Sequence, residues 1–409
     1  MKKTLIFIKQ NKLLSSEYEK LCYSYAQRLN SSITTISEET KADLIISVDE
    51  GESYLIADSN LYLLLSEILD FDAILLRERY FRGNCSRYEA QHLINCIGAC
   101  IFRKLSNAHF DYLIAPPVDN YILDILGVIA EHLGIRVIGI QRFYLPGMAR
   151  CSFRGEYNFV RDVPHEEIIE FRERYLKGAK NSFAPARAKV YRDIFKYSII
   201  YRIKVVLHYH LFYRILGHRR YKYYSTKDQV YPKRPIRSFR FYKKNVTRID
   251  NLVSGRRIAY IPLHYFPEAT VEYWMELKFV DYYSYLQHVV ASLSAAGYSI
   301  VLKEHPAIYL KRDVKFIKNL LGREHVYLFS PFVDTREILK LADATVIWTG
   351  STGVESMMSD VPTYFMSSNF YNDGNYRSWE ELVKEKPTIK NQNADIAIKR
   401  LLETTYHTF

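Results

Sequence analysis

The turn Thr349–Gly353 combines residue types that proteins use to bind phosphate, and it lies between an apolar strand pattern and a helical pattern. Glycines let the backbone turn tightly, while hydroxyls and backbone N–H groups face an anion at the positive end of a helix dipole. Thr352 and Glu355 also have the spacing of a capping box, which any helix start can use. Two glycines flanking Ser-Thr exceed what a cap needs, so the pattern favours a phosphate site. It matches neither a Walker A motif nor GxGxxG.

A second motif, Lys303-Glu304-His305-Pro306, ends another apolar strand pattern. A cation and an imidazole at the carboxyl end of a strand can neutralise the phosphate of a leaving group. Pro306 stiffens the turn and favours an extended backbone at His305. A lone His-Pro pair is usually a structural turn, but the neighbouring Lys303 favours a functional interpretation.

The third motif is Pro262–Glu268, which directly follows the first strand pattern of the same block. It predicts that His264 and Glu268 lie in a loop on the side of the sheet where α/β folds bind ligands. A proline-containing turn with a buried histidine explains the local sequence equally well.

Two blocks of alternating strand and helix patterns must position these motifs, which indicates parallel sheets with helices on both faces. Gly134 and Gly297 each stand where a helix is expected to end, directly before a strand. The first block contains strand-like runs at 4–8, 42–48, 73–76, 112–115 and 136–140, and helices at 14–29, 86–105 and 120–133. The second contains strands at 257–262, 298–303, 326–329, 344–347 and 363–366, and helices at 281–296, 311–321, 335–341, 354–359 and 379–404.

The predicted fold class is therefore α/β, with two Rossmann-like domains, a central cleft and a helical basic connector. We expect an N-terminal domain at 1–164, the connector at 165–252 and a C-terminal domain at 253–378. Helices at 379–409 are expected to pack back toward the first domain.

Positive charge is concentrated in the connector. Residues 187–248 contribute +16 to the net charge of +12, from 18 Lys/Arg against two acids, which leaves −4 for the rest of the chain. Residues 197–216 have the pattern of a basic amphipathic helix, and residues 217–248 that of an extended, tyrosine-rich strip. Such a segment can lie on an anionic membrane surface, hold an anionic acceptor, or pack its aromatic residues between domains.

Bulk composition excludes several classes of protein. At 48% hydrophobic and 25% charged residues, the chain is a packed globular protein and not a disordered one. Five cysteines form no CxxC or zinc spacing, and with no secretory pattern they indicate a cytoplasmic setting. Cys96 and Cys100 are expected in the core. No stretch reaches 18 uninterrupted apolar residues, so the sequence predicts no membrane span.

Asp70-Phe71-Asp72 is a DxD, but it precedes an apolar strand-like run, so we interpret it as a solvated turn.

Taken together, Lys303–Pro306, the Gly350–Glu355 turn and Pro262–Glu268 resemble motifs of bacterial capsule and surface-polysaccharide glycosyltransferases, a group that includes the β-Kdo transferases. The resemblance covers about residues 256–366, with Gly155-Glu156 in the first block. It implies a GT-B fold, in which 1–164 is the acceptor-side domain and 253–378 the nucleotide-sugar-binding domain. It also implies a CMP-activated ulosonic acid as donor, and no metal or other cofactor.

The resemblance also implies a set of nucleotide-binding residues. Lys303 and His305 would hold the CMP phosphate, Ser351 and Thr352 would donate hydrogen bonds to it, and Glu355 would lie near the nucleotide. The full set is Lys303, His305, Pro306, Gly350, Ser351, Thr352, Gly353 and Glu355, with Glu268 at the donor.

β-Kdo transferases retain anomeric configuration, and by resemblance this chain would use two carboxylates, one as nucleophile and one as acid/base. Glu156 is one candidate. Asp228 is the other, because eight Lys/Arg between residues 219 and 240 surround it and favour its ionised form. An ordinary surface ion pair explains Asp228 as well. His264 would assist catalysis or bind the donor carboxylate.

The predicted function is transfer of Kdo or a sialic-acid-like nonulosonate to a surface-polysaccharide or lipopolysaccharide glycan, free or lipid-linked. The protein is expected in the cytoplasm, with peripheral binding to the inner membrane face as an option. A UDP-sugar transferase or epimerase, or a polyol-phosphate transferase, on the same fold is an alternative. Another is a non-catalytic RNA or polyanion binder using residues 187–248; no nucleic acid is expected, because no RNA-binding signature is present and the remainder is acidic.

Overall fold

The structure is a computed structural model, and it describes most of the chain outside residues 177–234. The described residues are 2–8, 15–38, 42–143, 147–176, 235–247, 249, 252, 255–266, 269–276, 281–310, 312–367, 377–387 and 393–408. Asp228, Glu268 and the predicted basic helix at 197–216 lie outside these residues.

The strands and helices alternate along most of the chain. The strands are β1 (Lys3–Phe7), β2 (Ser32–Ser37), β3 (Leu44–Ile45), β4 (Tyr112–Ala115), β5 (Arg136–Arg142), β6 (Met148–Cys151), β7 (Ile258–Pro262), β8 (Ser299–Lys303), β9 (Val326–Phe329), β10 (Ala344–Ile347), β11 (Thr363–Phe365) and β12 (Thr405–His407). The helices are α1 (Ser15–Arg28), α2 (Val48–Ala57), α3 (Ser59–Ile68), α4 (Phe71–Arg77), α5 (Arg79–Asn84), α6 (Arg87–Ser106), α7 (Tyr121–His132), α8 (His165–Leu176), α9 (Pro235–Asn245), α10 (Ala269–Glu272), α11 (Tyr282–Ala295), α12 (Val314–Leu321), α13 (Thr335–Leu339), α14 (Ser351–Met358), α15 (Trp379–Lys384) and α16 (Ala394–Glu403).

The chain forms two compact units, and each is discontinuous in sequence. Unit 1 comprises Met1–Asp162, Ala269–Val280 and Glu403–Phe409, and unit 2 comprises Val163–Glu268 and Asp281–Leu402. The boundaries predicted from the sequence divide the chain linearly, and they remain predictions.

Unit 1 is built on a seven-stranded sheet in the order β12-β6-β5-β4-β1-β2-β3. Strands β3, β2, β1, β4 and β5 are parallel, whereas β6 and β12 add an antiparallel edge. The order reverses between β1 and β4, as in a doubly wound Rossmann sheet. Helix α7 follows β4 and begins at Asn120, whose side chain accepts a hydrogen bond from the Leu123 N–H.

Unit 2 contains a five-stranded, all-parallel sheet in the order β11-β10-β7-β8-β9. Its order reverses between β7 and β10, so it is a second Rossmann-like sheet. Beyond the edge strand β9, the chain that follows α9 makes a parallel bridge between Val246 and Leu328. The α/β fold class with two Rossmann-like units, predicted from the sequence, is confirmed.

The cores explain why the strands read as apolar runs. In unit 1, one large cluster lies against α2, α3, α6 and α7, and a smaller one lies against α1. Strands β4, β8 and β10 are almost wholly buried, as expected for parallel strands covered on both faces. Cys96 and Cys100 are buried in the core of unit 1, as predicted.

Several predictions of local structure are wrong. The apolar run at 73–76 belongs to helix α4, and Asp70 caps that helix by accepting from the Ala73 N–H at 2.9 Å, so the DxD forms the start of a helix and not a turn before a strand. Residues 235–245 form α9, although an extended connector was expected there. The run at 42–48 contains only the two-residue strand β3 before α2 begins.

None of the helices in the part of the chain that the structure describes is long and apolar enough to cross a membrane.

Candidate active site

The carboxyl edge of the unit 2 sheet brings the predicted binding motifs together. Strand β7 lies between β8 and β10, so the loops that leave all three strands emerge at one edge. Pro262 and Lys303 are register partners at that edge, with His264 two residues beyond one strand and His305 two residues beyond the other. Because the strand order reverses between β7 and β10, this edge is where a doubly wound sheet binds its ligand.

Lys303 ends β8 and is held by the start of the next helix. Its ammonium donates a hydrogen bond to Thr335 Oγ1 at 2.7 Å, and Asp334 caps the same helix, α13. Burial lowers the pKa of Lys303, while the charges of Glu355 and Asp334 oppose that shift. The sheet edge thus carries a partly desolvated ammonium whose charge two carboxylates partly balance.

Helix α14 begins at Ser351 after Gly350, whose φ is 103°. The N-cap position is occupied by this glycine, which has no side chain to cap the helix. The Ser351 hydroxyl donates to Glu355 Oε1 at 2.9 Å, and Thr352 lies inside the helix, so the capping box that Thr352 and Glu355 could have formed is not made. Burial raises the pKa of Glu355, and Ser351 and Lys303 act against that shift.

Glu355 therefore connects two motifs that are 50 residues apart in sequence, through the hydroxyl of Ser351 and the charge of Lys303. Gly353 is buried within the helix. The structure places the predicted lysine and the predicted helix start at one site. Whether they bind a nucleotide remains a prediction.

The loop after β8 fixes His305 through its backbone. The His305 N–H donates to Glu304 Oε1 at 2.7 Å, and the His305 carbonyl accepts from the Ile308 N–H at 3.1 Å. Pro306 is the first residue of a short 3₁₀ helix, Pro306–Ile308. The half-buried imidazole meets the Tyr265 ring edge-on, with centroids 5.6 Å apart.

Sequence reasoning missed the network that holds these loops, a buried ion pair between Glu304 and Arg312. Both side chains are 0% exposed, and Arg312 Nε lies 2.9 Å from Glu304 Oε2. Arg312 Nη2 also donates to the His264 carbonyl at 2.5 Å. Tyr242, on α9, donates to Glu304 Oε2 at 2.7 Å. One carboxylate therefore ties together the His305 loop, the His264 loop and α9.

The electrostatics of this network agree with an ionised pair. Burial is the largest single influence and lowers the pKa of Arg312, but the charge and hydrogen bonds of Glu304, together with Tyr282 and Tyr283, outweigh it and raise that pKa. Burial, followed by the charge of Glu304, raises the pKa of Tyr242 well above its ordinary value, so this phenol stays protonated as a donor. Glu304 lies within the motif that drew attention to Lys303, but nothing in the local pattern reveals that a Glu there is buried.

His264 is half-buried, and its backbone is fixed on both sides. Its N–H donates to the Tyr282 hydroxyl at 3.0 Å, and its carbonyl accepts from Arg312. The loop geometry is thus set by buried partners, while the role of the imidazole remains a prediction.

Glu156 lies in unit 1, in the loop after β6. Its Oε1 accepts from the Phe153 N–H at 2.6 Å and from Asn158 Nδ2 at 2.7 Å, and its Oε2 accepts from the Arg154 N–H. Gly155, with a φ of 83°, makes the turn. The carboxylate therefore organises its own loop, and its predicted acid/base role remains a prediction.

Among the described residues, no group of three or more His, Cys, Asp or Glu side chains is arranged to hold a metal ion. That catalysis needs no metal remains a prediction.

No protein-family model and no curated protein matches the chain. Among solved structures it is similar to the β-Kdo 2,7 transferase of Thermosulfurimonas dismutans KpsC, at 10% identity and a TM-score of 0.37, over 100% of this chain and 92% of that one. It is also similar to the β-Kdo 2,4 transferase of the same KpsC, at 10% identity and a TM-score of 0.37, over 73% and 81%. A UDP-GlcNAc 2-epimerase of Methanocaldococcus jannaschii is similar at 12% identity and a TM-score of 0.31, over 98% and 99%. These likenesses concern the fold alone, and one fold serves many activities.

Proposed function

We propose that this chain is a glycosyltransferase that moves a 3-deoxy-ulosonic acid, Kdo or a sialic-acid-like nonulosonate, from a CMP donor to a surface-polysaccharide or lipopolysaccharide glycan. The observation that supports it most is the sheet edge of unit 2. There, beside the reversal of strand order, Lys303 and the start of α14 share one electrostatic environment. The motif resemblance supplies the donor class.

The reaction requires a site that stabilises the negative charge that develops on the phosphate of the leaving CMP. The phosphate of a CMP-ulosonate is a monoanionic diester, and it gains a second negative charge as the bond to the anomeric carbon breaks. Lys303, His305 and the backbone N–H groups at the start of α14 would stabilise that added charge more strongly than the starting state. Such a difference accelerates the chemical step.

The configuration would be retained by double displacement. In the first step a carboxylate attacks the anomeric carbon and CMP leaves; in the second the acceptor hydroxyl displaces that carboxylate and gives its proton to a base. Asp228 is the proposed nucleophile and Glu156 the proposed acid/base. His264 and Glu268 would bind the donor sugar or its carboxylate.

The acceptor would be a glycan, free or lipid-linked, and α9 offers a basic surface for an anionic partner. Its exposed side includes Arg237, Arg240, Lys243 and Lys244, opposite the buried Tyr242. Binding of this surface to the anionic inner face of the cytoplasmic membrane is part of the proposal. Sedimentation with vesicles that contain or lack anionic lipid tests it, and equal binding to both would remove the membrane from the proposal.

The first test is nucleotide binding by calorimetry. We expect CMP to bind without divalent metal and with higher affinity than UDP. Lys303→Ala should weaken CMP binding by about tenfold or more, because a charge-assisted hydrogen bond to phosphate contributes roughly 1.5–3 kcal/mol. Lys318→Ala, which removes an exposed lysine from α12 of the same unit, is the matched control.

Donor use is tested by measuring CMP release from CMP-Kdo and from CMP-sialate-type donors, with and without glycan acceptors. Glu156→Gln should abolish turnover while CMP still binds, and Asp228→Asn should do the same. Tighter binding of UDP than of CMP, or CMP binding only with Mg²⁺, would contradict the proposal and favour a UDP-sugar enzyme on the same fold.

A further inference from the structure

Residues 269–276, here called the docked segment, belong to unit 1 although they follow β7 of unit 2 in sequence. The segment contains α10 and begins five residues after His264. Val271, Glu272, Tyr273 and Met275 are buried there. A short piece of chain that buries this many consecutive side chains is packed into its unit and does not merely cross its surface.

Two polar anchors fix the segment. Glu272 is 0% exposed and forms ion pairs with Arg79 and Arg82, each at 2.7 Å. Tyr273 donates to Glu78 Oε2 at 2.6 Å. A buried carboxyl group is costly unless it is paired or hydrogen-bonded, so contact with both arginines stabilises Glu272 in this position. The anchors therefore select one register of the segment in unit 1.

The anchors lie where a doubly wound sheet ordinarily binds a ligand. Glu78 Oε2 also accepts from the Tyr121 N–H at 3.0 Å, at the first residue of α7, the helix that follows β4. A carboxylate at a helix start occupies the position that suits a bound anion. The start of α7 lies at the carboxyl end of β4, beside the point where the strand order of unit 1 reverses between β1 and β4. In this unit the side chains of Glu78 and Tyr273 occupy that position.

Trp274, another residue of the docked segment, contacts the Glu156 loop, residues 153–158. Its indole N–H donates to the Val118 carbonyl at 3.1 Å. Its ring lies directly on Gly155, where an added methyl group would come within 3.0 Å of Trp274 Cε3 and 3.1 Å of Cβ. The next residue, Glu156, binds the Phe153 and Arg154 N–H groups. The indole thus forms one wall of the turn that holds this carboxylate.

We propose that Trp274 is a positioning residue. The docked segment holds its indole in contact with Gly155, and this contact keeps the Glu156 carboxylate in one orientation. The assignment rests on the proposed function for its catalytic consequence, since Glu156 is the proposed acid/base. The role of Trp274 is to restrict the loop, and it does not touch the reacting atoms.

The test measures loop order and turnover separately. In Trp274→Ala, the amides of residues 153–158 should exchange with D₂O roughly tenfold faster or more, because the turn loses the indole that packs on Gly155. The turnover number should fall by about tenfold or more while the donor KM changes little, because positioning acts on the chemical step. Trp274→Phe keeps a ring on Gly155 but loses the hydrogen bond to Val118, and it should lie between wild type and Trp274→Ala in both measurements.

Two further variants keep the result interpretable. Trp274→Leu keeps an apolar side chain at this position but removes the flat ring from Gly155, and it should reproduce the faster exchange if Trp274→Ala fails to fold. Trp379→Phe, which alters a buried tryptophan of unit 2 whose N–H donates to Tyr285, is the matched control and should leave residues 153–158 unchanged.

Unchanged exchange of residues 153–158 in the folded Trp274 variants would overturn the inference, whatever the enzyme does. Faster exchange with an undiminished turnover number would also overturn it, because loop order would then not matter for catalysis. Faster exchange in a protein that turns over no CMP donor would support the role of Trp274 in loop order and would count against the proposed function instead.

Discussion

Glu304 shows how a single buried charge can organise a site although the motif that contains it gives no sign of this role. The carboxylate accepts from the His305 N–H, from Tyr242 and from Arg312, and Arg312 in turn holds the His264 carbonyl. Lys303 and His305 could be picked out from the sequence, because a cation and an imidazole at a strand end suggest phosphate chemistry. Glu304 and Arg312 could not, because their pairing depends on burial, which the sequence pattern around them does not encode.

The Glu304–Arg312 pair gives a prediction at the residue scale. Arg312→Met should lower the free energy of unfolding by ~3–5 kcal/mol, because it leaves a buried carboxylate without its cation. The double variant Glu304→Met/Arg312→Met should recover at least half of that loss, because no unpaired charge remains. Urea unfolding measures both.

The double variant should still bind CMP more weakly than wild type, because the His264 and His305 loops lose their shared anchor. A double variant as unstable as Arg312→Met would show that packing, and not the unpaired charge, determines the loss. Normal CMP affinity in the double variant would show that the pair does not position the two loops.

At the scale of elements, the sequence predicted those helices and strands that local chemistry marks clearly. Gly134 and Gly297 end helices with φ values of 76° and 86°, and the strands that follow them lie where expected. Strand β2 was missed because its polar sequence, SITTIS, lacks an apolar run, and only its pairing with β1 makes it a strand. Helix α4 was misread because seven residues are too few to distinguish a buried helix from a strand by periodicity.

The start of α14 gives a prediction at the element scale. Gly350→Ala should lower the free energy of unfolding by ~1–2 kcal/mol, because φ at this position is 103°, a region that side chains disfavour. Nothing lies within 4 Å of an added methyl group there, so the cost is backbone strain and not a clash. CMP binding should weaken as well, because the helix start would shift.

Gly322→Ala is the matched control for Gly350→Ala. Gly322 ends α12 with a φ of −70°, which alanine adopts without strain. It should be neutral or stabilise the protein by ~0.4–1 kcal/mol, through the lower entropy of the unfolded chain. Equal unfolding curves for the two variants would mean that the glycine at the start of α14 is not required by its backbone conformation.

At the scale of the whole molecule, the discontinuity of the units could not be predicted from the sequence. The βα rhythm suggested domains that follow one another along the chain, and residues 269–276 looked like part of the second block. Their place in unit 1 depends on partners nearly 200 residues away, such as the ion pairs of Glu272 with Arg79 and Arg82. Local sequence patterns do not reveal ion pairs between residues so far apart in sequence.

The docking of Glu272 predicts a pH dependence of stability. Burial, only partly offset by Arg79 and Arg82, raises the pKa of Glu272 from 4.5 to about 7. Between those values the folded chain keeps a proton that the unfolded chain has released, so this group makes the free energy of unfolding fall as the pH rises. Relative to Glu272→Gln, wild type should lose up to ~3 kcal/mol between pH 4.5 and 7.

Urea unfolding at several pH values measures this difference between wild type and Glu272→Gln. Glu276→Gln removes an exposed carboxylate from the same segment and is the matched control. A difference between wild type and Glu272→Gln that is constant across the range would show that folding does not raise the pKa of Glu272.

Strand β12 pairs with β6 along Met148–Cys151 and completes the sheet of unit 1 with residues from 405 to 407. During synthesis, β6 emerges from the ribosome some 250 residues before its partner. Until then Met148–Cys151 is an open edge, able to recruit a strand from another nascent chain. A stop codon just before residue 403 would leave that edge permanently exposed, and we expect its product to be found in inclusion bodies or bound to chaperones.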